Sequence, residues 1–272
     1  MDIEAGTGTV PGGTSSIKPS ERMAVRASQE LQNREVVFVG IGLPNLACNL
    51  ARALHAPELF MIYESGTIGT LPARLPVSIG DPTLVTDSLA IVSQADIFQQ
   101  YLQGGLIEVG FLGGAQVDRY GNINTTVIGD YTNPKIRLPG SGGACEIATH
   151  SQRVLIMMRM SPKSFVEKCD FVTSPGSRMD SSKPSRYLGK TREELKLPGG
   201  GPVKAITDLG VLEMRGGEFT LTEIYEGVTV EQVKQNCGWP LQVAANLRTI
   251  PEPDAKTLEI LRNRIDPERL YL

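Results

Sequence analysis

Short apolar runs and amphipathic stretches alternate along the N-terminal half of the chain. The segments Glu35–Val39 and Leu59–Tyr63 carry continuous apolar runs rich in β-branched and aromatic residues, which indicates buried strands. Between them, apolar residues recur at helical spacing from Pro44 to about Leu54, and the first turn of a helix tolerates proline. A strand, a glycine loop, a helix and a second strand form a βαβ unit. The sequence therefore predicts an α/β fold with a parallel sheet.

The same pattern predicts further elements along the chain. Additional strands are expected at Leu89–Val92, Leu106–Leu112, Arg153–Met158 and Phe171–Val172. Additional helices are expected at Glu21–Asn33, with Ser20 as N-cap, and at Ala95–Gln103, Val230–Asn236 and Asp254–Arg264. Near the C-terminus, an antiparallel meander is expected from Ala205–Thr207, Val211–Met214 and Phe219–Ile224. The polar segment Ser177–Gly201 is typical of a long surface loop or a partner contact.

The chain has 272 residues, which suits one large α/β domain, with two small domains as the alternative. Residues 1–19 are rich in Gly, Thr and Ser and lack the basic and apolar regions of a secretory signal, so we expect a disordered tail. Residues 20–272 then form a single domain. No apolar run reaches the length of a membrane-spanning helix, so we expect a cytoplasmic protein without a membrane partner.

The composition excludes several classes of protein. With 40% hydrophobic and 21% charged residues, the chain is not largely disordered. A net charge of −3, one Trp and 6% aromatic residues argue against a nucleic-acid partner, which needs clustered basic residues and stacking platforms. The four cysteines form no CxxC pair and there are only two histidines, so neither a disulfide scaffold nor a metal site is expected.

Glu64 is the first candidate for chemistry. It directly follows a predicted buried strand, and ligands of α/β proteins bind outside the carboxyl ends of parallel strands. Its small neighbours Ser65 and Gly66 allow a ligand to approach closely. The alternative is an ordinary solvent-facing carboxylate at the end of a strand, which is the more common situation.

Three glycine-containing loops are further candidates. Pro139–Ala144 exposes successive backbone N–H groups that suit a phosphate or an oxyanion, although a flexible turn explains it too. Gly40–Pro44 has Asn45 where a dinucleotide fingerprint has its third glycine, so a structural turn is at least as good an interpretation. In Gly113–Asp118, Gly114 permits close approach and Gln116 offers a polar group, but turn chemistry is an equal explanation.

The histidines and cysteines are weaker candidates. His55 and His150 lie far apart, and no GxSxG elbow suggests a serine triad. We expect His55 to interact with a helix C-terminus. Cys48 and Cys145 are expected to be packing residues. The less favoured alternative is a reactive Cys145 thiol, activated by the helix N-terminus beside the glycine loop.

From about Glu21 to Leu270, the chain resembles the B (beta) subunits of class I coenzyme A transferases, in particular the glutaconate CoA-transferase branch. The order and spacing of several short motifs carry the resemblance. These motifs are Val39–Pro44, Tyr63–Gly66 (Tyr-Glu-Ser-Gly), Phe111–Asn124, Ile128–Tyr131, Gly140–Ala144 and Asp170–Gly176.

The resemblance implies a mechanism. Glu64 corresponds to the family's covalent nucleophile, which forms a glutamyl-CoA thioester in a ping-pong reaction that moves CoA between carboxylic acids. It also implies that Gly142, Gly143, Ala144 and Gly42 lie at the oxyanion and CoA site. Ser65, Gly66, Gly114 and Gln116 are weaker pocket candidates. Coenzyme A is then a substrate, and no permanently bound cofactor is expected.

The resemblance further implies a three-layer α/β/α fold with a mainly parallel open sheet, as in the wider group that includes ribose-5-phosphate isomerase. It implies an A (alpha) subunit of the same fold, with the active site between the two chains. Other reactions on this scaffold remain open: acyl-CoA hydrolysis, ring cleavage and decarboxylation of a glutaconyl-type CoA. A non-catalytic CoA-binding subunit and an acyl-CoA sensor are alternatives of another class. Dicarboxylic or branched acids are plausible substrates.

Overall fold

The computed structural model describes residues 16–182 and 185–272. Most of the predicted N-terminal tail, residues 1–15, lies outside the described residues. The helices are α1 (Pro19–Ser28), α2 (Leu43–Leu54), α3 (Gln94–Asp96), α4 (Ala144–His150), α5 (Val230–Gln235) and α6 (Ala255–Glu259). Helices α3 and α6 continue as π-helical turns over Ile97–Leu102 and Ile260–Ile265, and Pro82–Val85 is a 3₁₀ turn.

Fourteen strands are formed by the described residues. They are β1 (Val36–Phe38), β2 (Phe60–Ile62), β3 (Thr67–Ile68), β4 (Ala90–Ile91), β5 (Val109–Leu112), β6 (Gln116–Val117), β7 (Ile123–Asn124), β8 (Val127–Gly129), β9 (Pro134–Arg137), β10 (Arg153–Met157), β11 (Pro202–Ile206), β12 (Gly210–Arg215), β13 (Glu218–Tyr225) and β14 (Gln242–Ile250). Ten of them form one sheet in the order β14-β13-β12-β11-β10-β5-β1-β2-β3-β4. Strands β6–β7 and β8–β9 form two separate hairpins.

The centre of the large sheet is parallel. Strands β11, β10, β5, β1 and β2 all run in the same direction, while β3, β4 and β12 pair antiparallel with their neighbours. Successive side chains of a strand face opposite sides of the sheet. Val37 packs with Met23 of α1 and Ala47 of α2, whereas Phe38 packs with Ile97 and with Ile147 of α4. Helices therefore cover both faces, and the predicted three-layer α/β/α fold is confirmed.

Most predicted elements are present, and the differences have local causes. Helix α1 begins at Pro19 and not after Ser20, because the Glu21 side chain accepts a hydrogen bond from the Lys18 N–H (2.8 Å). The meander is present as β11–β13, but β14, which pairs in parallel with β13, was not predicted. The predicted strand Phe171–Val172 is wrong, because this segment is a loop. Among the described residues, no helix is long and apolar enough to cross a membrane.

Candidate active site

The loops that follow β2, β1 and β5 meet at one edge of the sheet. These three strands are parallel neighbours, and the Val39 N–H beyond β1 still donates to the Ile62 carbonyl of β2 (2.9 Å). The chain leaves β1 toward β2 on one side and later returns to place β5 on the other. Such a reversal opens a crevice at the carboxyl ends of the strands. Glu64, the Gly40–Pro44 loop and Gly113 therefore share this edge.

A tight turn after β2 presents Glu64. The Gly66 N–H donates to the Tyr63 carbonyl (3.0 Å), and the Tyr63 N–H donates to the Thr67 carbonyl (3.0 Å), so the chain reverses within four residues. Gly66 has φ +108°, and a Cβ there would lie 2.0 Å from the Val92 carbonyl oxygen. Gly66 is thus required by the fold of the turn, whatever it does for a ligand. Ser65 is exposed and Glu64 is half-buried.

The residue before Glu64 is anchored below the surface. The Tyr63 side chain is fully buried, and its hydroxyl accepts a hydrogen bond from the Asn45 amide of α2. The Asn49 amide donates in turn to Oδ1 of Asn45 (2.7 Å). Asn45 is the residue that breaks the dinucleotide fingerprint, and its side chain instead fixes the strand that leads to Glu64.

The predicted glycine loop lies against Glu64. Gly143 is the N-cap of α4, and a Cβ built on it would lie 3.1 Å from Oε2 of Glu64 and 2.5 Å from Cζ of Phe98. On the other side of the loop, Gly140 and Gly142 have φ +100° and +47° and open space where a Cβ would stand. Two motifs that are distant in sequence are therefore brought together at one point.

Glycine in β5 sets the position of this loop. A Cβ on Gly110 would lie 2.5 Å from Cγ2 of Ile147 and 2.6 Å from Oγ of Ser151. Helix α4 can therefore pack directly on the backbone of β5, which brings its first residues to the carboxyl edge of the sheet. With only seven residues, α4 is a short helix.

The free donors of the loop are fewer than predicted. The Ala144 N–H donates to the Ser141 carbonyl (2.9 Å), and the Gly140 N–H donates to the Thr125 carbonyl (2.9 Å). Within the described part of the chain, neither the Gly142 nor the Gly143 N–H donates a hydrogen bond. The geometry thus leaves Gly142 and Gly143 as the donors available to a ligand.

Phe98 completes the surroundings of the carboxylate, and sequence reasoning missed it. Its ring packs on Gly143 and lies 5.7 Å from the ring of Phe38. Burial raises the pKa of Glu64, and no basic side chain of the described residues pairs with it. A partly desolvated carboxylate without a counter-ion is typical of a functional site. The only sequence signal for Phe98 was its place in a predicted helix.

The weaker pocket candidates serve the scaffold. Gln116 is buried: its amide donates to Asp170 (3.0 Å), and its carbonyl oxygen accepts from Asn124 (2.8 Å) and from the Asp170 N–H (3.0 Å). A Cβ on Gly114 would lie 2.4 Å from Cγ2 of Ile123. These contacts join β6, β7 and the Asp170 loop, and a role for Gly114 and Gln116 in a substrate pocket stays a prediction.

The remaining candidates separate clearly. Gly42 is the N-cap of α2 with φ +83°, and space is open beside it. Burial and the neighbouring Glu146 raise the pKa of Cys145, which contradicts the alternative of an activated thiol. His55 is the C-cap of α2, as predicted, and its Nε2 lies 3.0 Å from the Leu31 carbonyl. The described residues contain no cluster of three side chains able to hold a metal ion.

Comparison with known proteins gives the family. Residues 20–236 match the family model described as Coenzyme A transferase. The chain is 48% identical to the beta chain (B) of the 3-oxoadipate CoA-transferase of Pseudomonas knackmussii, over 91% of this chain and 93% of that protein. It is 35% identical to the beta chain (B) of the glutaconate CoA-transferase of Acidaminococcus fermentans, over 93% and 94%.

The structural comparison agrees. The crystal structure of the glutaconate coenzyme A-transferase from Acidaminococcus fermentans matches with a TM-score of 0.84 and 34% identity, covering 94% of this chain and 97% of that one. Both the sequence match and the structural match span nearly the whole folded region. The chain therefore belongs to the coenzyme A transferase family and is a beta subunit of a CoA-transferase of this kind.

Proposed function

We propose that this chain, together with an alpha subunit, transfers CoA between carboxylic acids by a ping-pong mechanism in which Glu64 is the nucleophile. The Glu64 carboxylate attacks the thioester carbonyl of an acyl-CoA, and the CoA thiolate leaves a mixed acyl-glutamyl anhydride. The thiolate then attacks the glutamyl carbonyl, which releases the first acid as its carboxylate and forms a glutamyl-CoA thioester. Covalent catalysis of this kind splits one difficult exchange into easier steps.

The second half-reaction reverses these steps with another acid. Its carboxylate attacks the glutamyl-CoA thioester, giving a new anhydride and CoA thiolate. Attack of the thiolate on the acyl carbonyl forms the new acyl-CoA and regenerates the Glu64 carboxylate. Each attack creates a tetrahedral oxyanion, for which the N–H groups of Gly142 and Gly143 are the proposed donors.

The single observation that carries the proposal is the position of Glu64. A half-buried, unpaired carboxylate at the carboxyl edge of the sheet lies beside two backbone N–H groups that have no acceptor within the described residues. A merely structural carboxylate at a strand end is usually solvated or paired with a cation. The family relationship supports the same assignment.

The acid substrates are proposed from the relatives. The 48% identical relative is named for 3-oxoadipate and the 35% identical one for glutaconate, both of which are dicarboxylates. We therefore propose a dicarboxylic acid as donor or acceptor, with 3-oxoadipate as the first one to test.

The test is the intact mass of this chain after the co-purified alpha–beta complex is incubated with acyl-CoAs. We expect a mass increase of CoA minus water on the native chain, removed by the acceptor acid and absent in Glu64→Ala. The control Glu58→Ala removes an exposed carboxylate beside β2 and should keep the adduct. Thioester consumption without any adduct would reject the transferase mechanism and favour hydrolysis. Unchanged activity in Glu64→Ala would favour a non-catalytic role for this chain.

A further inference from the structure

A second cavity lies apart from Glu64, between helix α2 and the C-terminal segment. Its volume is about 440 Å³. The second half of α2, the segment Leu71–Leu75 and the segment Arg264–Leu270 form its walls. Neither Glu64 nor the glycine loop lines it, so it is not part of the candidate active site.

Arg52 gives this cavity its chemical character. Its half-buried side chain lines the cavity, its Nε is buried, and no hydrogen bond or ion pair joins that side chain to any described residue. By contrast, buried Arg26 binds Glu30 and Glu223, and Arg262 binds Glu21. Removing a charge from water without a partner is costly, so Arg52 is a guanidinium in need of an anion. Burial lowers the pKa of Arg52.

The acids around the cavity are already occupied. Asp266 accepts the N–H groups of Leu270, Tyr271 and Leu272 at 2.7, 2.9 and 3.0 Å. Arg74 is bound by both carboxylate oxygens of Asp81 (2.8 and 2.9 Å) and is close enough to Glu268 to interact electrostatically. Arg264 also lines the cavity, and no ion pair joins it to another described residue. Two guanidinium groups are therefore left for a ligand.

The rest of the wall is mostly aliphatic. It is formed by side chains from the same three segments: Ala53, Leu71, Pro72, Leu75, Ile265 and Leu270. An apolar cavity with a few convergent polar groups is the usual form of a small-molecule site. We propose that this cavity binds a small organic carboxylate, with its aliphatic body on the apolar wall and its carboxylate on Arg52 and Arg264. Guanidinium groups bind carboxylates with matched, charge-assisted hydrogen bonds.

The cavity also touches the support of the nucleophile strand. Asn49 lines it, and the hydrogen bonds from Asn49 to Asn45 and from Asn45 to Tyr63 lead to the residue before Glu64. A ligand in the cavity would thus lie next to a polar connection to the active site, while remaining separate from it.

The first test uses hexanoate as the probe and isothermal titration calorimetry of the co-purified alpha–beta complex. Hexanoate should bind at least tenfold more weakly to Arg52→Gln, and equally well to Lys234→Gln, which removes one exposed positive charge on α5. Hexan-1-ol, which has the same body and no charge, should bind far more weakly than hexanoate. Ala53→Leu keeps the charges, fills the cavity and should abolish the Arg52-dependent binding.

The second test places the ligand directly, because an acid can also bind at Glu64. A crystal of the complex soaked with 6-bromohexanoate should show anomalous bromine signal between α2 and residues 264–270. Bromine only beside Glu64, equal binding by Arg52→Gln, or a cavity filled by the alpha subunit would each overturn the proposal. Because the readout is binding at a distinct place, failure here leaves the Glu64 mechanism untouched, and failure of that mechanism leaves this site untouched.

Discussion

Gly143 and Glu64 meet at the carboxyl edge of the sheet with no room for a side chain on the glycine. A Cβ on Gly143 would lie 3.1 Å from Oε2 of Glu64 and 2.5 Å from the Phe98 ring. The φ of Gly143 is −79°, a conformation that any residue adopts, so space and not backbone strain requires glycine here.

Gly143→Ala should therefore impair catalysis more than folding. The new methyl group must displace the carboxylate, the ring or the loop, and a displacement of about 1 Å near reacting groups can cost about 100-fold in rate. We expect about a 100-fold loss in the rate of CoA adduct formation, measured by intact mass. Gly80→Ala, an exposed glycine with open space around it, is the control and should be unchanged. Native activity in Gly143→Ala would contradict this close contact.

The pH dependence of the first half-reaction should reflect the burial of Glu64. Burial raises the pKa of this carboxyl above its ordinary value, and only the deprotonated form is a nucleophile. Adduct formation should therefore slow as the pH falls through this raised pKa. Phe98→Ala admits water and should move the acid limb of the pH–rate profile to lower pH. An acid limb at the pKa of a solvated glutamate in the native protein would contradict the proposed desolvation.

A buried ion cluster joins α1 to the distal part of the sheet. Glu223 of β13 accepts from Nε of Arg26 (2.6 Å) and also pairs with Arg248, while Arg26 binds Glu30 (2.6 Å). Breaking a buried pair leaves an uncompensated charge, which costs about 3–5 kcal/mol. Glu223→Gln should destabilise the complex by about this amount in urea denaturation.

An exposed pair on the neighbouring strand provides the control for Glu223→Gln. Glu213 and Arg215 of β12 form a solvent-exposed ion pair (2.8 Å), and such pairs contribute at most about 1 kcal/mol. Glu213→Gln should therefore change the unfolding free energy by less than about 1 kcal/mol. Equal effects of the two substitutions would show that the buried cluster contributes no more than a surface pair.

Asp118 should make stability depend on pH. It is fully buried, and burial raises its pKa to about 7 even though it accepts hydrogen bonds from Tyr120 and Asn122. The folded state then retains a proton that the unfolded state loses near pH 4. The free energy of unfolding should fall as the pH rises from about 4 to about 7, and Asp118→Asn should flatten this slope. Urea denaturation across this range tests it, and an identical slope in the variant would exclude Asp118 as the cause.

Local patterns in the sequence determined the α/β class, the first βαβ unit and the position of Glu64 at a strand end. These follow from hydrophobic spacing and from glycine and proline at turns, which act within a few residues. The order and spacing of the motifs further indicated the coenzyme A transferase family, which the comparisons confirm. Glu64 as the nucleophile remains a proposal.

Contacts between distant segments were decided only by the tertiary structure. The packing of α4 on Gly110 brings Gly143 to Glu64, places Phe98 beside both, and consumes the Ala144 N–H within the loop. Gln116 proved to be a scaffold residue because its hydrogen-bond partner Asp170 comes from a remote loop. Arg52 carried no sequence signal at all: an arginine is distinctive only when the folded chain leaves it half-buried without a carboxylate. Burial and pairing are properties of the packed chain, and no local pattern encodes them.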